Sequence, residues 1–203
     1  MSERRREPEG RIGVKGMMLA RTPMHAVEGK AERMADQDWP HEIHRLEAAQ
    51  VTQISYVPDG GHRQLIELCT ADPGMRVVSL TTEEEGVSLA AGAWLGGVRS
   101  VLLMQSSGVG NCVNALSLLR ACQFPFLTLV TMRGDFGETN AWQMTMGQAS
   151  QPVLERCGVV CLRVDTAAEV SDTVAAGLQM AYRGSQAIAI LLSQRLIGAK
   201  TFQ

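Results

Sequence analysis

The segment RVVSLTTEEEGVSLAAGAWLGGVRSVLLMQ (76–105) decides the fold. RVVSL (76–80) reads as a strand, Glu83 to Gly97 as a helix and SVLLMQ (100–105) as a second strand. Strands and helices that alternate at such short spacing imply a mostly parallel sheet covered on both faces. The helix carries a run of small residues, Ala90, Ala91, Gly92 and Ala93. Small residues let another backbone, a partner subunit or a flat ligand come close. Glu83 stands at the start of that helix, where a carboxylate held against such a surface is partly desolvated. Desolvation suits it to sharing a proton rather than only carrying charge. A solvated helix start is the plainer account, because acids in the first turn complement the helix dipole. It explains Glu84 and Glu85 well.

The same alternation extends in both directions. PHEIHRLEAAQ (40–50) has helical spacing, TQISYVP (52–58) is a short β-rich run, and GHRQLIELC (61–69) returns to helical spacing. SSGVGNCVNALSLLRAC (106–122) reads as a glycine turn opening a helix. FPFLTLVTM (124–132) is a continuous apolar run, as expected of a strand buried on both faces. A polar loop is expected over 133–147, then a helix at 149–157. The strand GVVCLRV (158–164), a helix over 166–182 and the strand AIAILLS (187–193) follow. The expected fold is an α/β three-layer sandwich around a mostly parallel sheet of about six strands.

Composition narrows the function. At 203 residues the chain fits one domain of ordinary size with a real core. A net charge of −2 argues against a nucleic-acid surface, and 4% aromatics argue against base-stacking platforms. No apolar run reaches the length of a membrane span. Five scattered cysteines suit a reducing cytoplasm. Cys157 and Cys161 form a pair without a second pair, and Cys161 lies in an apolar run, so a core role is favoured over a metal site. Residues 1–35, opening MSERRREPEGRIGVKGMML, are charged and aperiodic. They read as a disordered or extended tail before a domain over 36–203, with Met34 an alternative initiator.

In parallel sheets, ligands gather beyond the carboxyl ends of the strands. Polar candidates collect there: Asp59, Gly60, Gly61 and His62 after the first strand, and Glu83 after the second. Gln105, Ser106, Ser107, Gly108, Gly110 and Asn111 follow the third; Arg133, Gly134, Asp135, Asn140, Trp142 and Gln143 follow the fourth. S-S-G-V-G-N lacks the third glycine of a dinucleotide fingerprint and the Gly-Lys-Ser/Thr of a phosphate loop. A tight strand-to-helix turn capped by Ser106 or Ser107 explains it equally. Asp59 and His62 could be a helix-start pair or substrate groups. Arg133 could pair with Asp135 or clamp an anion through its planar fork.

Four segments then carry a resemblance: YVPDGGH (56–62), EEEGVSLAAGAWLGG (83–97), LLMQSSGVGNCVNAL (102–116) and MRGDFGETNAWQMTMGQA (132–149). Together they resemble the pyrimidine-binding domain of thiamine-diphosphate-dependent enzymes. Within that group the likeness is to the sulfopyruvate decarboxylase alpha subunit and the matching half of phosphonopyruvate decarboxylase. It covers about 39–195.

The resemblance implies a role for each motif. Glu83, nine residues before Gly92, fits the family's catalytic glutamate, whereas Glu84 and Glu85 do not. That glutamate hydrogen-bonds N1′ of the cofactor's aminopyrimidine. Gln105, Ser106, Ser107, Gly108 and Asn111 correspond to the segment beside the pyrimidine. Asp59, His62, Arg133, Asn140 and Gln143 correspond to the substrate side. The family's Gly-Asp-Gly diphosphate signature is missing, so no metal ligand is expected in this chain. A separate beta subunit is expected to bind the diphosphate and Mg2+, in an even-numbered assembly such as two alpha with two beta. The implied activity is decarboxylation of a small anionic 2-oxo acid, foremost 3-sulfopyruvate to sulfoacetaldehyde and carbon dioxide. Phosphonopyruvate or another 2-oxo acid is the alternative. A non-catalytic regulatory subunit retaining the fold is a further one, against which the spacing of Glu83 argues.

Overall fold

The computed structural model describes residues 39–45 and 50–199. The expected tail over 1–35 and the second half of the 40–50 helix lie largely outside the described residues. The elements run α1 (Trp39–Arg45), β1 (Val51–Tyr56), α2 (Arg63–Ala71), β2 (Arg76–Ser79), α3 (Glu83–Leu95), β3 (Arg99–Gln105), α4 (Ser106–Cys112) and α5 (Ser117–Cys122). They continue with β4 (Phe126–Thr131), α6 (Ala141–Arg156), β5 (Val160–Val164), α7 (Ala167–Tyr182), β6 (Ala187–Leu192) and α8 (Gln194–Ile197).

The described strands form one six-stranded sheet in the order β2-β1-β3-β4-β6-β5. Every pairing is parallel. Centre and edges differ as their sequences require. All six residues of the central strand β4 are buried, whereas the edge strand β2 buries none fully. β4 faces helices on both sides, so its pattern is continuous rather than alternating.

Each face has its own apolar cluster. Ile54, Leu65, Leu103, Leu129, Val174 and Ile190 join β1, β3, β4 and β6 to α2 and α7. Val87, Leu102, Val109, Leu116, Val130 and Leu154 join the opposite faces of β3 and β4 to α3, α4 and α6. Burying each such side chain contributes roughly 1.5–3 kcal/mol before the entropy of ordering it is subtracted.

Two expectations needed correction. The segment S-S-G-V-G-N is not a turn. Ser106 is already the first residue of α4, directly after β3. The polar loop over 133–147 ends early, because α6 begins at Ala141. Asn140 caps it, its Oδ1 accepting the Trp142 N–H at 3.1 Å.

Strand order reverses beside β1: β2 lies on one side of it and β3 on the other. The connections after β1 and β3 therefore leave in opposite directions. That opens a crevice at the carboxyl ends of the two strands, the usual place for a ligand in an open parallel sheet.

Candidate active site

The three acids of α3 behave differently. Glu84 and Glu85 are exposed, and Glu85 Oε2 reaches back to accept the Thr81 N–H at 2.9 Å. Glu83 turns inward and is 7% exposed. Asn111 of α4 donates from Nδ2 to Glu83 Oε2 at 2.8 Å. Among the described residues, Oε1 accepts no hydrogen bond.

Gly108 explains why α4 starts with small residues. A Cβ there would lie 2.5 Å from Glu83 Cδ and 2.6 Å from Oε1, so any larger residue would take the carboxylate's place. On the other side, a Cβ on Gly110 would meet Met146 Sδ of α6 at 3.3 Å. α4 is thus wedged between α3 and α6. Below Glu83, burial and the nearby Glu83 and Glu84 push the Cys112 thiol up to about 12, so it stays protonated and unreactive.

A second carboxylate lies across the first turn of α4. Gln105 donates from Nε2 to Asp59 Oδ1 at 2.8 Å. Thr131 Oγ1 donates to Asp59 Oδ2 at 2.6 Å, and the Gly61 N–H reaches the same oxygen at 3.1 Å. Ser107 Oγ donates to Gln105 Oε1 at 3.0 Å, which fixes the amide the right way round. Thr131 was invisible in the sequence. In FLTLVT it reads as one more β-branched strand residue.

His62 sits beneath the crevice, 1% exposed. Its Nε2 lies 3.1 Å from the Leu129 carbonyl and 3.3 Å from the Met104 carbonyl. Both partners are acceptors, so Nε2 carries the proton. Burial pushes its pKa down, outweighing the pull of Asp59, and the ring is neutral. The geometry gives it a supporting position under β3 and β4 rather than an open face at the rim.

Ser106 is fully buried. Its Oγ accepts the Arg133 N–H at 3.0 Å and donates to the Arg133 carbonyl at 3.3 Å. It ties β3 to the segment after β4 rather than facing the crevice.

Arg133 does not pair with Asp135. Its Nε donates to Glu138 Oε2 at 2.6 Å, with the two side chains 4% and 1% exposed. Nη2 is buried without a partner. The Arg133 hydrogen bond holds the Glu138 carboxyl at about 2. Asp135 instead pairs with Arg163. Gln194 closes this region, accepting the Asp135 and Phe136 N–H groups at 2.9 Å each and donating to Glu138 Oε2 at 2.9 Å.

Asn140 serves as the α6 cap, and Gln143 Oε1 is buried without a partner. A Cβ on Gly134 would lie 2.2 Å from the Gln143 carbonyl, so α6 packs directly on the Arg133–Gly134 backbone.

The structure thus brings together Glu83, Gly108 and Asn111, and beside them Asp59, Gln105, Ser107 and Thr131. Among the described residues no three His, Cys, Asp or Glu side chains form a cluster able to hold a metal ion. None of the five cysteines forms a disulfide, and Cys122 is exposed rather than a core residue. No described helix is long and apolar enough to cross a membrane.

Fold and crevice define a doubly wound parallel α/β domain with two carboxylates at its switch point. The chain belongs to the family of sulfopyruvate decarboxylase alpha subunits. It is 36% identical over 137 residues to "Sulfopyruvate decarboxylase subunit alpha" of Methanothermobacter thermautotrophicus, covering 67% of this chain and 83% of that protein. It is also 36% identical over 129 residues to "Phosphonopyruvate decarboxylase" of Streptomyces viridochromogenes, covering 62% of this chain and 32% of that protein. A solved 2-oxoglutarate:ferredoxin oxidoreductase from Magnetococcus marinus shares the fold, with a TM-score of 0.61 and 15% identity over 78% of this chain and 29% of that one. No protein-family model matches the sequence.

Proposed function

We propose that this chain is the pyrimidine-binding subunit of a thiamine-diphosphate-dependent 2-oxo acid decarboxylase that converts 3-sulfopyruvate to sulfoacetaldehyde and carbon dioxide. One observation carries the reading. Glu83 is enclosed against Gly108, with Oε2 held by Asn111 and Oε1 left without a donor. That arrangement fits a flat protonated ring nitrogen, such as N1′ of an aminopyrimidine, approaching Oε1.

When bound, thiamine diphosphate supplies the electron sink for the loss of carbon dioxide. Glu83 holds the proton at N1′, and Asn111 keeps the carboxylate pointed at it. Gly108 leaves room for the carboxylate to stand there, while Gln105 and Ser107 line the adjoining turn. Asp59 faces the substrate side, together with Asn140 and Gln143 at the start of α6; His62 and Ser106 support these groups from below. Arg133 is engaged by Glu138, so the cation for the sulfonate comes from elsewhere, and we assign it to the partner.

The partner is a beta subunit that binds the diphosphate and Mg2+, consistent with the "subunit alpha" in the relative's name. Exposed apolar side chains on the α3, α4 and α6 side support a docking face. Trp142 is 84% exposed and Leu95 76%, joined by Val113 and Met144. We place the assembly in the cytoplasm as a heteromer such as two alpha with two beta.

The likeness to phosphonopyruvate decarboxylase favours phosphonopyruvate as the second substrate to test. Carbon dioxide release from both acids by the chain with its partner, thiamine diphosphate and Mg2+ is the measurement. Release that requires the partner and vanishes in Glu83→Gln supports the reading. No release from either acid by a complex that binds the cofactor overturns the substrate assignment.

A further inference from the structure

We propose that the cleft between α5 and the last turn of α6 receives an acidic segment of the beta subunit, as the second point of a contact whose first is Trp142. This rests on the split-subunit reading for the identity of the partner but not for the chemistry of the face.

The outer face of α6 lacks the charges that suit a helix to water. From Thr139 to Leu154 the chain has no Asp, Glu, Lys, Arg or His. Yet Ala141, Trp142, Met144, Thr145, Gln148 and Pro152 are all exposed. A surface helix that meets only solvent ordinarily carries charged residues on that side. Exposed Trp and Met without charge are the composition of an interface core, and Arg is the base enriched beside it.

Charge returns at the far end of the helix. Arg156, in the last turn of α6, and Arg120, in the last turn of α5, line one open cleft with Val113, Ser117, Ala121 and Cys157. Arg120 lies against the turn that ends α6, since a Cβ on Gly158 would be 4.0 Å from Arg120 Cδ. Both arginines are exposed, and among the described residues neither has a carboxylate partner.

A base in the last turn complements the helix dipole, which explains one arginine at each helix end. It does not explain why both lack an acid, when the solvent-reaching Arg63 and Arg163 have Glu67 and Asp135. No Asp or Glu occurs from Gly86 to Gly134, so α4 and α5 offer none. Glu155, beside Arg156, is bonded by Gln151 Nε2 at 2.8 Å.

The length of the face selects the occupant. Trp142 and Arg156 stand on one side of α6, about 21 Å apart at about 1.5 Å per residue. A small anion cannot reach both, whereas a protein partner covering about 800 Å2 can. Residues 1–35 hold more bases than acids, so their charge does not complement the cleft.

The test measures binding of the purified beta subunit against salt concentration. Wild type is compared with Arg120→Glu/Arg156→Glu, Arg120→Lys/Arg156→Lys and Trp142→Ala, each checked for an unchanged thermal midpoint. The glutamate pair is expected to weaken binding at least about tenfold and to abolish its weakening by salt, while the lysine pair keeps both. Trp142→Ala should weaken binding alike at every salt concentration. Wild-type affinity and salt dependence in the glutamate pair would overturn the cleft and leave the partner standing. Failure of the beta subunit to bind wild type would overturn the split-subunit reading, and this assignment of the cleft with it. A chain that dimerises alone and is dissociated by the glutamate pair, or one that inorganic phosphate alone stabilises through these arginines, would overturn the beta subunit as occupant.

Discussion

The carboxyl rim of the sheet has two halves built on opposite principles. Over β1, β3 and α4, carboxylates meet neutral partners. Glu83 has one amide donor and an open oxygen, and Asp59 has an amide, a hydroxyl and a backbone N–H. Over β4, β6 and β5, charge meets charge: Arg133 with Glu138, and Arg163 with Asp135 and Asp165. The second half cancels itself internally and has little left for a ligand. On the first half, Glu83 is oriented by an amide and keeps one oxygen open, so it can act on something that arrives. The lesson is that the richest cluster of ionisable groups on a rim is not automatically its chemistry.

Four substitutions would break or sharpen that contrast. Glu83→Gln should lower carbon dioxide release by the complex at least about a thousandfold while leaving the thermal midpoint close to wild type. An unchanged rate would dissolve the distinction between the halves. Glu138→Gln should act in the opposite sense, on stability. It leaves a buried guanidinium uncompensated, and urea unfolding should show a loss of about 3 kcal/mol. The pH dependence follows from the same pair. The Glu138 carboxyl sits at about 2 when folded and higher when unfolded, so its contribution is complete above the unfolded value. Wild type should lose stability as pH falls from about 4.5 towards 2, and the glutamine variant should lose less over that window.

Gly108→Ala comes next. Its methyl would displace the Glu83 carboxylate, so calorimetry should find thiamine diphosphate binding to the complex weakened about tenfold or more. Binding at wild-type strength would mean that the carboxylate has another way to stand. The smallest effect belongs to Arg163→Ala. The Arg163 and Asp135 side chains are 36% and 20% exposed, and breaking so accessible a pair should cost under about 1 kcal/mol in the same unfolding experiment.

Much of this was legible in the sequence. The continuous apolar run of β4 announced a strand covered on both sides, and the alternation announced a parallel sheet. Glu83 stood out by its family-like spacing to Gly92, and it is the buried one of the three acids. Other features were hidden for physical reasons. α4 looked like a turn because its glycines were read as flexible, when they answer to the side chains on either side of the helix. The first two turns of α6 were missed because Trp142, Met144 and Met146 show no buried stripe; Asn140 was the readable signal. The partner of Arg133 was missed because Gly134 and Gly137, both with positive φ, fold the loop back and bring Glu138 under it. Thr131 could not be told from a packing residue, since its role depends on a turn more than sixty residues earlier.

Gln194 adds a consequence for synthesis. β6 is the last strand described, yet it inserts between β4 and β5, and Gln194 directly after it holds the backbone at Asp135 and Phe136. A nascent chain can pair β1 to β4 as they emerge, but β5 has no neighbour until β6 arrives. Only then does the segment that seats α6 acquire its shape. The carboxyl rim is therefore finished from its far end, and until Gln194 emerges one wall of the crevice beside Glu83 and Asp59 is unset.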